Sequence, residues 1–502
     1  MRSRLAISAG ATLIGLGAAL AQVTGPSTAT PPYLLPNPAL PPGAVKTVSI
    51  LTAGDSVGGY RLVGVPDGIG AFIDDGPMQF LVNHELTRSE GIVRAHGATG
   101  SFVSRYAIDP ITLAVVAGRD HNTGPLDVKT FDKASLLWVA GADAFERFCS
   151  GDLAPQSAFF YRGFGTSRRI YLNGEETRPP STSDFGRIFA HIATGPDRNE
   201  TWELPALGRI SVENALASPF PQRKTIVIGM DDGDVGTTAT TAAPSEIYLY
   251  AGQKSRKGAN DIENAGLTGG TLHGIQVLVD AAPLGGESDL YGFGSASFLG
   301  EARFAPVSLG DVTARTGIQL QADAKAAGVT RFQRTEDGAW DPRPGRQNDF
   351  YFVTTATFTT NSRLFRLRFD DITDPSRGGT ISILLTGGEG HRMLDNITVD
   401  PLGRIVALED VGNNARLGRV WIYDTNNGSF TEVAAFDADL FLPGAPGFIT
   451  QDEESSGVIQ AFDLLGQGWY LLDAQAHNRL SDPELVEGGQ LLAIYIDPAL
   501  GR

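Results

Sequence analysis

The chain has 502 residues, 42% hydrophobic and 19% charged, with 61 Gly, 29 Pro, one Cys and a formal net charge of -17. That balance argues against nucleic acid as a partner, because phosphate neutralisation needs clustered Lys and Arg. One Cys excludes a disulfide scaffold, and the apolar content is too high for wholesale disorder.

In chain order, the first element is an export signal. Arg2 and Arg4 precede an uncharged apolar run from Leu5, and Ala19-Leu20-Ala21 forms a small-x-small cleavage site. Residues 1–21 therefore read as a signal peptide, and the mature protein is expected to be secreted or periplasmic. No later segment reaches 18 uninterrupted apolar residues, so no stable membrane insertion is expected. Residues 22–44 are rich in Pro, Ala and Thr and read as an extended lead-in.

From residue 45 to 502 the pattern is one repetitive domain. Short runs of bulky and β-branched residues are separated by Gly, Asp, Asn and Pro, among them Phe80-Leu81-Val82, Thr225 to Ile228, Phe350 to Val353 and Val420 to Tyr423. One helical insertion is predicted over Asp311 to Ala327, where Ala, Gln and Lys accumulate.

An internal repeat organises these strands. Cys149, Glu213, Glu336 and Asp395 each stand six residues before a proline, at Pro155, Pro219, Pro342 and Pro401. After each comes a strand, a polar pair and a further strand. The polar pairs are Glu175-Glu176, Asp231-Asp232, Thr354-Thr355 and Glu409-Asp410. Asn83-His84-Glu85 occupies the corresponding place in an early repeat, and Glu453-Glu454 opens a degenerate late one. Units of roughly 40 to 60 residues with several strands each predict an all-β fold, a β-propeller of about six blades with short helical insertions. In a propeller, repeat-equivalent side chains converge on one axis; in the competing β-sandwich array they would not.

Convergence makes Cys149, Glu213, Glu336 and Asp395 candidate metal ligands. Three carboxylates and a thiol brought together without cations would repel or stay protonated. Carboxylates suit hard ions such as calcium, and a thiolate suits iron or zinc. The alternative is that each acid merely bonds its own turn. Glu175 and Glu176 are candidate ligands on the same reasoning, and Asp231-Asp232 and Glu409-Asp410 likewise read as calcium ligands, with solvated turns as the alternative for all three pairs. Arg334 stands two residues before Glu336, where its planar fork could hold an oxyanion or pair with a neighbouring acid.

These segments resemble the PhoX-type alkaline phosphatases, exported propeller enzymes. The resemblance is carried by Phe148-Cys149-Ser150-Gly151, Tyr171 to Glu176, Gly208 to Ala215, Phe332 to Asp337, Leu394-Asp395-Asn396 and Gln475-Ala476-His477. It implies an iron and calcium centre, with Cys149 and Glu213 on iron and Glu336 and Asp395 bridging or holding calcium. It further implies Arg334 as the catalytic residue and phosphate holder, Asn396 as a substrate contact, and small phosphorylated substrates. The expected activity is phosphate-ester hydrolysis. A non-catalytic, calcium-stabilised binding propeller and a calcium-dependent phytase or esterase are the alternatives.

Overall fold

The computed structural model describes residues 22–74, 76–233, 245–287 and 301–502. Residues 1–21, expected as a signal peptide, lie outside them. The described strands form an all-β propeller of six blades, each built on an antiparallel sheet whose first strand lines the axis. The six inner strands are Pro66–Ile73, Phe148–Asp152, Val212–Ala217, Thr335–Trp340, Leu394–Val399 and Glu453–Gln460. They define blades 1 to 6. Each inner strand packs against the next, and that of blade 6 returns to blade 1.

The strands are sandwiched between neighbouring blades, so both faces are apolar. In blade 3, Ile226, Ile228 and Met230 face blade 4, while Val227 between them faces blade 2. This is the two-residue alternation of a pleated strand read out as a continuous apolar run. The result is a separate apolar core in each of the six inter-blade spaces.

The N-terminal segment closes the ring. Strand Val45–Thr52 pairs antiparallel with Gly488–Ile496, so the start of the domain supplies an outer strand of the last blade. The Pro-rich lead-in is more structured than composition alone implies. Its strand Gln22–Thr24 runs parallel to Val45–Thr52, and Leu34–Pro36 adds to the edge of blade 5. Strand Glu301–Gly310 joins the outer edges of blades 3 and 4. The predicted helix is shorter than its compositional signal and spans Gly317–Ala327. It starts at a Thr316–Gln319 capping box and stops at Gly328, which takes the left-handed conformation.

Candidate metal centre

The backbone first sets where side chains can point. In blades 1, 2, 4 and 5 the inner strand carries a bulge of two residues against one, and Asp67, Cys149, Glu336 and Asp395 are the first residues of those bulges. In blade 3 the extra residue is Glu213 itself. A bulge bends the strand and re-aims the inserted side chain, here toward the axis. The prolines six residues on follow the ends of four of these strands, where a residue without an N–H cannot extend the ladder.

A second tier comes from the strand beside each inner one. The residues just past its end are Glu85, Glu176, Asp232, Thr355, Asp410 and His477. Each donates its amide to the carbonyl of the residue two positions before the inner-strand ligand. The acceptors are Val65, Arg147, Ser211, Arg334, Met393 and Asp452, at 2.9 to 3.0 Å. The same hydrogen bond recurs in all six blades, so these positions are structurally equivalent.

Together the tiers form four overlapping trios: Asp67–Glu85–Cys149, Cys149–Glu176–Glu213, Glu213–Glu336–Asp395 and Asp395–Asp410–Glu454. Within each trio one ligand atom per residue lies within 4.8 Å of the others. The centre of an equilateral triangle of that side is about 2.8 Å from each corner, close to calcium–oxygen bond lengths. Cys149, Glu213 and Asp395 each serve two trios, so the groups are continuous across all six blades.

The electrostatics agree with a cation-binding role. Burial, then the charges of Glu176, Glu85 and Glu213, push the Cys149 thiol well up. Glu213 is raised by burial and by Glu336 and Asp395; Asp395 by burial, Glu336 and Glu454. Burial raises Asp410 to about 7, with Glu454 adding to it. Glu176 also stands at about 7, because burial outweighs Arg147. Asp67 Oδ1 and Thr355 Oγ1 are buried without a hydrogen-bond partner. Crowded acids, a thiol and an orphaned oxygen are a donor set that multivalent cations satisfy.

Three cationic side chains hang over this ring. Arg147 contacts Glu85 at 2.5 Å and Glu176 at 2.6 Å. Arg334 grips Asp232 with Nε and Nη2 at 3.0 and 2.9 Å, and its Nη2 is 2.9 Å from Glu336. His477 sits 2.8 Å from Glu487 and 3.7 Å from Glu454. Burial opposes its charge, but those two carboxylates hold it up at about 11.

Beneath the ring, side chains next to the ligands tie the blades together. Asn214 donates to Ser150 at 3.1 Å and to Asp337 at 2.7 Å, and Asn396 donates to Ser150 at 3.2 Å while accepting from the Gly457 amide at 2.7 Å. Asn396, expected at the substrate, is thus buried in this inter-blade network. Glu175, expected as a ligand, lies in none of the trios. The strand pleat turns it away from Glu176, into a bidentate pair with Arg187 at 2.6 and 2.7 Å. It lines a separate cavity of about 550 Å³, to which no trio member contributes. Asp231 accepts from the Ser211 amide, and Glu409 from Arg416 and Trp421, so only the second acid of each pair faces the centre. His84 is structural: it stacks on Phe102 and bonds Gly64 and Ser104, and burial lowers it to about 3.

Sequence reasoning passed over Asp67. Its strand lacks the proline six residues on, where Ile73 stands instead, although the Asp-Gly step is a bulge signal. Asp410, read as a calcium ligand or a solvated turn, lies in a trio; Glu85 and Glu454 were visible as acids beside strands but carried no assigned role.

The architecture is that of the six-bladed propellers with an axial acid cluster. Among solved structures it is similar to Pseudomonas fluorescens PhoX in complex with vanadate, a transition-state analogue, with a TM-score of 0.62 and 13% identity over 91% of this chain and 95% of that one. Looser likenesses extend to the α-L-arabinofuranosidase Arb93A from Fusarium graminearum in complex with an iminosugar inhibitor (TM-score 0.41, 9% identity, 88% and 97% covered). A GH43_1 enzyme from Xanthomonas citri complexed with xylose follows (TM-score 0.33, 14% identity, 88% and 90% covered). At these identities the PhoX likeness shows the fold, and the other two carry no weight for the site. No family model and no curated protein matches the chain.

Proposed function

We propose that this chain is an exported, metal-dependent phosphatase that cleaves phosphate esters at an iron and calcium centre on the propeller axis. The observation that carries this reading is the unbroken run of four ligand trios joined through Cys149, Glu213 and Asp395. The fold shared with a phosphatase holding a transition-state analogue supports it. Bound there, multivalent cations would neutralise phosphoryl oxygens and supply an activated oxygen nucleophile.

The chain's residues divide the work. Cys149, with Glu176 and Glu213, offers the thiolate and carboxylate set that suits iron. Glu213, Glu336, Asp395, Asp410 and Glu454 offer the oxygen-only set that suits calcium. Arg334 already grips a carboxylate with two N–H groups. The same fork fits two oxygens of a phosphoryl group and would stabilise charge developing there. The Ser150–Asn214–Asn396 network below holds the ligand strands in place, as outer-sphere partners do. Small phosphorylated molecules are the expected substrates, since cations on the ring would reverse its negative potential.

The test is p-nitrophenyl phosphate hydrolysis by protein supplied with iron and calcium. Cys149→Ser is expected to cost at least about 100-fold in rate and to lower bound iron, more than is typical for an outer-sphere change. Full turnover by Cys149→Ser would refute the centre. The oxygen-only trio Asp395–Asp410–Glu454 favours a second reading, a calcium-stabilised binding propeller without catalysis. Metal analysis separates the two: that reading requires calcium, no iron and no turnover.

A further inference from the structure

Two of the six equivalent positions that receive the recurrent hydrogen bond are arginines, Arg147 in blade 2 and Arg334 in blade 4; the others are Val65, Ser211, Met393 and Asp452. Arg147 and Arg334 take left-handed backbone conformations, φ 31 and 62, as do Val65 and Met393 at the same position, φ 49 and 44, so the conformation belongs to the recurring blade geometry. Each arginine carbonyl is pinned, to Glu176 N at 2.9 Å and Thr355 N at 3.0 Å, so each side chain leaves the backbone at a fixed place. Both guanidiniums remain open to solvent, at 42% and 27% side-chain exposure, above ligands that are themselves buried.

Their partners place them on one target. Arg147 rests on Glu176 and Arg334 on Glu336. A carboxylate oxygen of Glu213 lies within 4.8 Å of each of those two acids. The arginines therefore flank blade 3 from either side. Glu85 and Glu176 are also trio members, and a carboxylate oxygen holding a cation at about 2.0 to 2.6 Å is less available to an arginine. Cation binding by the trios would thus release Arg147 toward the mouth of the funnel.

Resting on the phosphatase reading, we propose that Arg147 is a second oxyanion-binding residue. With Arg334 it forms a two-arginine clamp on the phosphoryl group. No bond is made or broken by Arg147; it donates N–H hydrogen bonds to phosphoryl oxygens.

The test uses iron- and calcium-loaded protein and inorganic phosphate as the probe, measured by calorimetric titration and as product inhibition. Arg147→Gln is expected to weaken phosphate binding about 10-fold to 100-fold, the range for a lost charge-assisted pair. Bound iron and calcium per chain should stay unchanged, KM should rise, and Arg147→Lys should recover part of the loss. Wild-type phosphate affinity in the metal-replete Gln and Lys variants would overturn the clamp while leaving the phosphatase reading intact. Loss of metal in both variants would also overturn it, by making Arg147 part of the metal site. Metal-loaded wild type that neither binds phosphate nor turns over ester would overturn the reading itself, and the clamp with it.

Discussion

Glu213 is the residue on which the proposed centre turns. It is the single inserted residue of its bulge and belongs to two trios. Glu454 belongs to one. Glu213→Gln should therefore remove more bound metal per chain than Glu454→Gln, a difference that elemental analysis of the purified variants reads directly. Equal losses would mean that Glu213 does not bridge. The neighbouring side chains show why residue type alone is a poor guide. Glu175 and Glu176 are adjacent acids of the same chemistry, yet successive side chains leave a strand on opposite faces, and one meets Arg187 while the other meets Cys149.

At the scale of the element, the inner strands approach so closely that some positions allow no side chain. A Cβ at Gly68 would lie 2.3 Å from the Gly151 nitrogen and 2.4 Å from the Ser150 carbonyl carbon, both backbone atoms of the next blade. Gly68→Ala should force blades 1 and 2 apart. Overpacking of this kind costs about 1–3 kcal/mol, and the displaced atoms adjoin Cys149. A lower urea midpoint together with reduced metal content checks this; unchanged metal content would show that the bulges move independently of the blade contact. Between blades 5 and 6, Arg404 is fully buried and pairs with Asp400 at 2.8 Å and Tyr470 at 3.0 Å, with a third bond to the Asp497 carbonyl at 2.7 Å. Removing one partner of a buried pair strands the other. Arg404→Met should cost about 3–5 kcal/mol in a denaturation titration, with bound metal per folded chain unchanged.

At the scale of the molecule, the axial acids make stability depend on pH and on metal together. Glu176 and Asp410 stand at about 7 in the folded protein, above the ~4 of unfolded carboxylates. A raised folded value stabilises fully below the unfolded value, and that contribution is lost as pH rises through the folded one. Metal-free protein should accordingly lose thermal stability as pH climbs from about 5 to above 7. Added calcium should raise Tm more at pH 8 than at pH 5.5, and its uptake near pH 6 should release protons. A Tm of metal-free protein that is flat or rising across pH 5 to 8 would show that these acids do not control its stability.

Some of this was legible before any coordinates. Strand-sized runs bounded by Gly and Pro spelled out an all-β chain. The proline six residues after Cys149, Glu213, Glu336 and Asp395 marked four of six inner strands, because strand termination by proline is a local, backbone-level effect. Blades 1 and 6 lack that mark, so Asp67 stayed silent and Glu454 showed only as the opening of a degenerate repeat. Which acid of each pair faces the axis, which arginine overhangs which carboxylate, and the use of Asn396 as an inter-blade tie depend on bulge placement and on strands hundreds of residues apart. Local patterning determined the blades and their repeat, since each blade's periodicity lies within its own few dozen residues. Only closure of the ring, where Val45–Thr52 meets Gly488–Ile496, decided which side chains became neighbours.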